Sequence, residues 1–229
     1  MGAGIMDDAY ELSTLCELAK LYNVESIARP GPPCFLCNVR GLFFGICNGC
    51  FGDLPWRRQS ENSFDFPFIQ TTLVAFDYAY PLDRIIRRAK FSSDLAALKL
   101  CGTLLSSRVS NHLQELDLIV PVPLSTRRYI SRSYNQAVEI ARPLSIAKGI
   151  PLGRDVVRRC LHRPAQSTLP AAARAGNVRG AFWCTEVVEG TRILIVDDVI
   201  TTGATVVELA GSLSAAGAAE IHLAAFAAS

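Results

Sequence analysis

The run Arg192-Ile-Leu-Ile-Val-Asp-Asp-Val-Ile-Thr-Thr-Gly-Ala-Thr205 reads as a buried strand, an acidic turn, a small-residue loop and the start of a helix. Ile193 to Val196 are four consecutive apolar, mostly β-branched residues, the pattern of a strand covered on both faces. Asp197 and Asp198 stand where such a strand ends, and open α/β sheets bind ligands at the carboxyl ends of their strands. Thr201-Thr202-Gly203-Ala204-Thr205 then offers backbone N–H groups, hydroxyls and a glycine ahead of the helical pattern Val206-Val207-Glu208-Leu209-Ala210. Free N–H groups and the positive end of the dipole make a helix start an anion site.

The two halves suit a phosphorylated sugar. Paired carboxylates accept hydrogen bonds from vicinal ribose hydroxyls or hold Mg²⁺ through water. The Thr/Gly loop has the shape to wrap a 5′-phosphate. The run resembles the phosphoribosyl-pyrophosphate (PRPP) motif of type I phosphoribosyltransferases, with both acids and the whole phosphate loop in place.

Working outward, strand and helix patterns alternate from Thr71 to the C-terminus, which argues for a mostly parallel α/β sheet with helices on both faces. Thr71 to Tyr80 reads as a strand, and Pro81 opens a helix with an apolar stripe of Leu82, Ile85, Ile86 and Ala89. Arg84, Arg87, Arg88 and Lys90 leave the other side of that helix basic. Asp94 to Leu113 reads as a longer helix, and Leu118 to Val122 as the next buried strand, with Pro121 and Pro123 ending its pairing. Asn135 to Lys148 is helical in pattern, and Pro143 is expected to kink or interrupt it. Leu161 to Ala175 reads as a mobile loop, rich in Arg, Ala, Ser and Pro. The helix after the acid pair reaches about Ala216, Gly217 stops it, and a last strand covers Ile221 to Phe226.

Charge is uneven along the chain. Residues 120–180 hold eleven Lys/Arg against two acids, Glu139 and Asp155, although the net charge is only +2. A basic segment beside a phosphate site has a reason to exist: it can hold pyrophosphate, a nucleic-acid backbone, or both. No apolar run approaches a membrane span, and Asp7, Asp8 and Glu11 stand where a secretory signal would be basic and then apolar. A cytoplasmic protein is expected.

Four of the eight cysteines, Cys34, Cys37, Cys47 and Cys50, form C-x2-C-x9-C-x2-C. Two thiolate pairs at this spacing suit tetrahedral zinc, and a cytoplasmic chain favours metal over disulfides. Four protein ligands leave no open position, so the ion is expected to be structural. Cys16, Cys101, Cys160 and Cys184 read as small apolar fillers. Three parts follow: an N-terminal helical extension over residues 1–29, a zinc-ribbon-like knuckle over 30–57, and an α/β domain over 71–229. Arg57 to Phe66 reads as a polar linker between the last two.

Beyond the acid pair and its loop, several blocks occur in order: the cysteine pairs with Asp53-Leu-Pro-Trp56; Tyr80-Pro-Leu-x-x-Ile-Ile-x-x-x-Lys90-Phe91; Val120-Pro-Val-Pro-Leu124 with Arg127, Arg128 and Arg132; Tyr134-Asn-Gln136; and Arg158 through Gln166, Arg174 and Asn177 to Phe182. Together they resemble the ComF/GntX family, phosphoribosyltransferase-like proteins with an N-terminal zinc ribbon. The chain departs from that pattern twice. It lacks a second set of cysteine pairs, which implies one zinc rather than two. It also reads Arg132-Ser-Tyr-Asn-Gln136 where relatives usually read Arg-Gly-Phe-Asn-Gln.

The resemblance implies a type I phosphoribosyltransferase-like fold, with PRPP and Mg²⁺ at Asp197, Asp198 and Thr201, Thr202, Gly203, Ala204 and Thr205. It implies pyrophosphate ligands at Arg127, Arg128 and Arg132, and a closing loop over about residues 158–177 with Arg158, Arg159, Arg163 and Arg174. As an enzyme it would release pyrophosphate while a nucleophilic nitrogen attacks the anomeric carbon, with no covalent nucleophile. The acceptor has no signature in the sequence. The resemblance also implies links to natural competence and single-stranded DNA, with competence proteins as partners, or to gluconate utilisation. A non-catalytic DNA-handling module is the alternative to an enzyme. For DNA contact, Phe35, Phe43, Phe44 and Trp56 are candidate aromatics, set against packing around the zinc site. His112, His162 and His222 are isolated and expected to be structural or superficial.

Overall fold

The computed structural model describes residues 32–40, 45–58, 64–91, 94–109, 115–124, 134–159 and 180–229. The expected extension over 1–29, Arg127, Arg128 and Arg132, and residues 160–179 lie outside them. In chain order the elements are α1 (Asn48–Gly52), β1 (Thr71–Asp77), α2 (Leu82–Phe91), α3 (Leu95–Val109), β2 (Leu118–Pro121), α4 (Gln136–Lys148), β3 (Val157–Arg159), β4 (Phe182–Cys184), β5 (Arg192–Ile200), α5 (Ala204–Ala215) and β6 (Glu220–Ala228).

β1, β6, β5 and β2 form a parallel sheet in that spatial order, and β3 and β4 form a separate antiparallel ribbon. Ile193 to Val196 of β5 are fully buried, as a strand covered on both faces requires. Side chains alternate across the sheet. Leu194 and Val196 enter an apolar cluster with α2, α3 and α4, whereas Ile193 and Ile195 enter another with α5 and β4.

Several boundaries differ from the sequence expectation. β5 runs to Ile200, so the acid pair lies inside the strand rather than beyond it; β6 continues alongside and pairs Asp197 with Ala225 and Ile200 with Ala228. Pro121 does not end the pairing of β2: it stands opposite Val196, and the next N–H, of Val122, donates to the Val196 carbonyl at 2.9 Å. Among the described strands β2 ends the sheet, with Leu152 bridged to Ile119 on its outer side. The Ile119 N–H points away from β5, to the Pro151 carbonyl at 2.9 Å, so Pro121 in the same phase lacks a donor that β5 does not need.

Pro143 does not interrupt α4, which continues to a left-handed Gly149 cap. The helix packs tightly against α3 there. A Cβ on Gly102 would meet the Ile140 carbonyl at 2.4 Å and Pro143 Cγ at 2.8 Å, so only glycine allows this approach. Asp94 is the cap of α3 rather than its first turn, with Oδ1 accepting from the Ala96 and Ala97 N–H groups at 3.1 Å. Arg158 and Arg159, expected in a mobile loop, belong to β3, where Arg159 stacks over the Phe182 ring at 5.3 Å.

The knuckle shares the main core: Cys34, Ile46, Phe51 and Leu54 lie in the cluster that α2 and α3 build. The chain leaving it covers the free edge of β1, with the Arg57 N–H on the Ala75 carbonyl and the Asp77 N–H on the Pro55 carbonyl, each at 3.0 Å. The expected polar linker ends in packed residues. Phe64 and Phe66 stack at 5.4 Å and cover the α5 side of the sheet, because their rings need burial that the polar neighbours do not. No helix among the described residues is long and apolar enough to cross a membrane.

Candidate functional site at the end of the central strand

Asp197 and Asp198 sit side by side near the end of β5. The Asp198 N–H donates to Asp197 Oδ1 at 2.8 Å, and the Val199 N–H donates to Asp198 Oδ1 at 2.7 Å. Burial and then the neighbouring Asp198 charge push the Asp197 carboxyl well above the usual carboxylate range. Asp198 has its own counter-ion: Lys90 Nζ is 3.1 Å from its Oδ2.

That pairing corrects the expectation for Lys90, which the sequence pattern placed with three arginines on the outer side of α2. Arg84, Arg87 and Arg88 are indeed exposed, but Lys90 turns inward to the acid pair. The signal was present, since Lys90 lies four residues after Ile86 and therefore on the border of the apolar stripe. Gln136 is a second residue that motif reasoning did not assign to the acid pair. It is 2% exposed, and Lys90, Gln136 and Asp198 line one small cleft, with Cys101 at its wall. Burial pushes the Cys101 thiol far up, consistent with an apolar filler.

Past the acids, Thr201 and Thr202 are exposed, and Gly203 caps α5 at φ +72. A Cβ there would meet Phe66 Cε1 at 2.2 Å, so the ring of Phe66 is seated directly on the loop. Gly203 brings no side-chain oxygen to the helix start, and the first turn contains no acid. The first N–H groups of α5 have no carbonyl of their own helix to bond, and that of Ala204 reaches Thr202 Oγ1 only at 3.5 Å. One turn on, Glu208 accepts from the Gly180 N–H and ties residue 180 to α5. His222, expected to be structural or superficial, pairs with Glu220 at 3.3 Å on β6.

The four cysteine sulfurs lie within 4.8 Å of one another, with Cys37 and Cys47 Sγ 3.6 Å apart. Tetrahedral zinc with Zn–S bonds of about 2.3 Å sets sulfurs roughly 3.8 Å apart, so the four fit a single ion after a small contraction. Burial opposes ionisation of Cys34, but N–H groups of Cys37, Leu36 and Cys47 outweigh it and lower its thiol to about 7. Of the aromatics around the knuckle, Phe35 lies under the Arg88 guanidinium at 4.8 Å, and Gly45 is left without a side chain where that ring passes. Trp56 is half-buried between Phe51 and Phe76, its Nε1 donating to the Phe51 carbonyl at 3.2 Å. Both pack rather than stand free; Phe43 and Phe44 lie outside the described residues.

Residues 101–229 match the family model described as the phosphoribosyl transferase domain. The chain is 37% identical over 160 residues to the DNA utilization protein YhgH of Escherichia coli (strain K12), covering 67% of this chain and 70% of that protein. It is 29% identical over 205 residues to competence protein F of Haemophilus influenzae, covering 83% of this chain and 87% of that one. The solved glutamine PRPP amidotransferase from B. subtilis is 25% identical over 56% of this chain and 26% of its own, at a TM-score of 0.40, so the assignment rests on the sequence matches. The family model covers the sheet from α3 onward, the acid pair and the loop on α5, and on that ground the chain belongs to the phosphoribosyl transferase domain family, as a phosphoribosyltransferase-like protein of the ComF/GntX type.

Proposed function

We propose that this chain binds PRPP with Mg²⁺ and serves DNA utilisation or competence, as a phosphoribosyltransferase whose acceptor is a nitrogen nucleophile. The ribose lies on Asp197 and Asp198, the 5′-phosphate on Thr201, Thr202, Gly203, Ala204 and Thr205, and the pyrophosphate on Arg127, Arg128 and Arg132. Residues 30–57 form a knuckle holding one structural zinc, and residues 71–229 form the PRPP domain. The observation that carries this reading is the start of α5. It has a glycine cap and no first-turn acid, and it follows shortly after the acid pair in the last part of β5. An acid in that turn would repel a phosphate; its absence leaves the dipole and the N–H groups to an anion.

Mg²⁺, when bound with PRPP, neutralises the pyrophosphate leaving group. The residues of the chain do the positioning. Asp198, held by Lys90, accepts a hydrogen bond as a carboxylate, and Asp197, whose Oδ1 takes the Asp198 N–H, offers its other oxygen. Calorimetric titration of PRPP into the zinc-loaded chain tests the reading. Binding should require Mg²⁺ and weaken roughly tenfold or more in Asp198→Asn, the scale of a lost charged hydrogen bond. Equal binding by the wild type and both Asn variants would remove the acid pair from the site. The link to DNA handling draws support from the names of the relatives and from the basic run at 120–180. It requires binding of single-stranded DNA that weakens steeply with salt; a flat salt response would refute it.

A further inference from the structure

Gln136 is buried to 2% exposure, yet both its Oε1 and its Nε2 lack a hydrogen-bond partner. Buried amides are nearly always satisfied, and one left unmet on both atoms is costly to the free protein. The side chain lines the cleft that also holds Lys90 and Asp198, walled by Ile140 and Phe226. Its place is fixed from below: Asn135 caps α4, with Oδ1 on the Ala137 N–H and Nδ2 on the Val122 carbonyl, both at 3.0 Å. The first residue of α4 is thereby held against the end of β2, facing the end of β5.

The neighbours restrict what the amide can meet. The Asp198 carboxylate disfavours a phosphate, and the Lys90 ammonium disfavours a metal ion. A neutral group that both donates and accepts is left, and a hydroxyl is such a group. It can donate to Asp198 and accept from Gln136 Nε2.

We propose that Gln136 takes up one ring hydroxyl of the phosphoribosyl group and that Lys90, by pairing with Asp198, is the positioning residue that holds the carboxylate for that same hydroxyl. This rests on the PRPP reading of the site. Gln136 thus determines specificity for ribose over deoxyribose. A site built to hydrogen-bond a hydroxyl rejects the analogue lacking it, because its buried polar groups then go unmet.

The experiment measures the affinity of the full, zinc-loaded chain for ribose 5-phosphate, 2-deoxyribose 5-phosphate and 3-deoxyribose 5-phosphate. Wild type should prefer ribose 5-phosphate over one of the two deoxy sugars by at least roughly tenfold. Gln136→Leu should lose affinity for ribose 5-phosphate alone, so that this preference collapses toward unity. Its ligand-free melting temperature should stay level or rise, since an unpartnered amide has been removed. Gln136→Met, unbranched and of similar length, gives the same readout if leucine does not fit. Lys90→Met should weaken ribose 5-phosphate binding, and Lys90→Arg should restore most of it. A variant that keeps the wild-type preference would overturn the proposal and leave Gln136 as the holder of a buried water. So would a lower melting temperature with all three sugars weakened equally. If wild type binds none of the three sugars and no PRPP, the failure lies in the PRPP reading instead.

Discussion

Replacing Gly203 by alanine tests whether the loop between β5 and α5 is shaped by its own backbone or by the ring seated on it. Two costs are separable. Gly203 sits at φ +72, where an L-residue costs about 1–2 kcal/mol. Its new Cβ would also lie 2.2 Å from Phe66 Cε1 and 2.5 Å from Cζ, a clash that a ring stacked on Phe64 cannot relieve freely. Overpacking of this kind costs about 1–3 kcal/mol. Gly203→Ala should therefore lose about 2–5 kcal/mol, a large share of the roughly 5–15 kcal/mol that holds a typical domain. Phe66→Ala alone removes a half-buried ring and should lose about 2 kcal/mol, near half the cost of a fully buried one. In the double variant the clash disappears and only the backbone term and the lost ring remain. Urea unfolding of the zinc-loaded chain, followed by fluorescence of Trp56 and Trp183, should show the double variant less destabilised than the sum by about 1–3 kcal/mol. Additivity within about 0.5 kcal/mol would refute the idea that Phe66 shapes the loop.

Other outcomes follow from the same geometry. The folded chain keeps a proton on Asp197 that the unfolded chain releases above 3.8, so this group stabilises most below that value and its contribution is lost as pH rises through the raised value. Asp197→Asn should flatten the fall in melting temperature as pH rises above the ordinary Asp range, while binding PRPP more weakly; an unchanged pH dependence would contradict the raised carboxyl. Asp117 behaves oppositely: its bonds with the Arg192 side chain and N–H hold its carboxyl down at about 2. Asp117→Asn should destabilise the chain above the ordinary Asp range, and the difference from wild type should vanish as pH falls toward about 2; a difference that persists in acid would point to packing instead. Elemental analysis should find about one zinc per chain, and a strong chelator should lower the melting of the whole chain in one transition, because Cys34, Ile46 and Phe51 share the main core. A folded, metal-free protein with unchanged melting would refute the zinc assignment.

The acid pair, the loop and the strand before them were legible because each is written in consecutive residues. Four apolar residues in a row can only be a strand buried on both faces or part of a buried helix, and Thr-Thr-Gly-Ala-Thr with its flanking acids settles the choice. The cysteine cluster was legible for a similar reason, since ligand spacing is a local property. Pro121 and Pro143 misled because a proline's cost depends on its surroundings. The Pro121 nitrogen faces away from β5, and Pro143 lies in a helix pressed against Gly102. Whether a missing N–H matters is decided by what would have stood opposite it.

By itself the sequence determined a parallel α/β fold of the phosphoribosyltransferase type, the acid pair, the Thr/Gly loop that follows it and a four-cysteine cluster fit for one metal ion. Only the tertiary structure decided which other side chains reach that strand end. Lys90 comes from a helix more than one hundred residues before Asp198, Gln136 from the first turn of another, and Phe66 from a stretch that looked like linker. No periodicity links these positions, because their meeting depends on the strand order β1-β6-β5-β2 and on the faces to which β5 sends its alternate side chains. Local pattern fixes what each element is; the packing of elements fixes which of their side chains share a site.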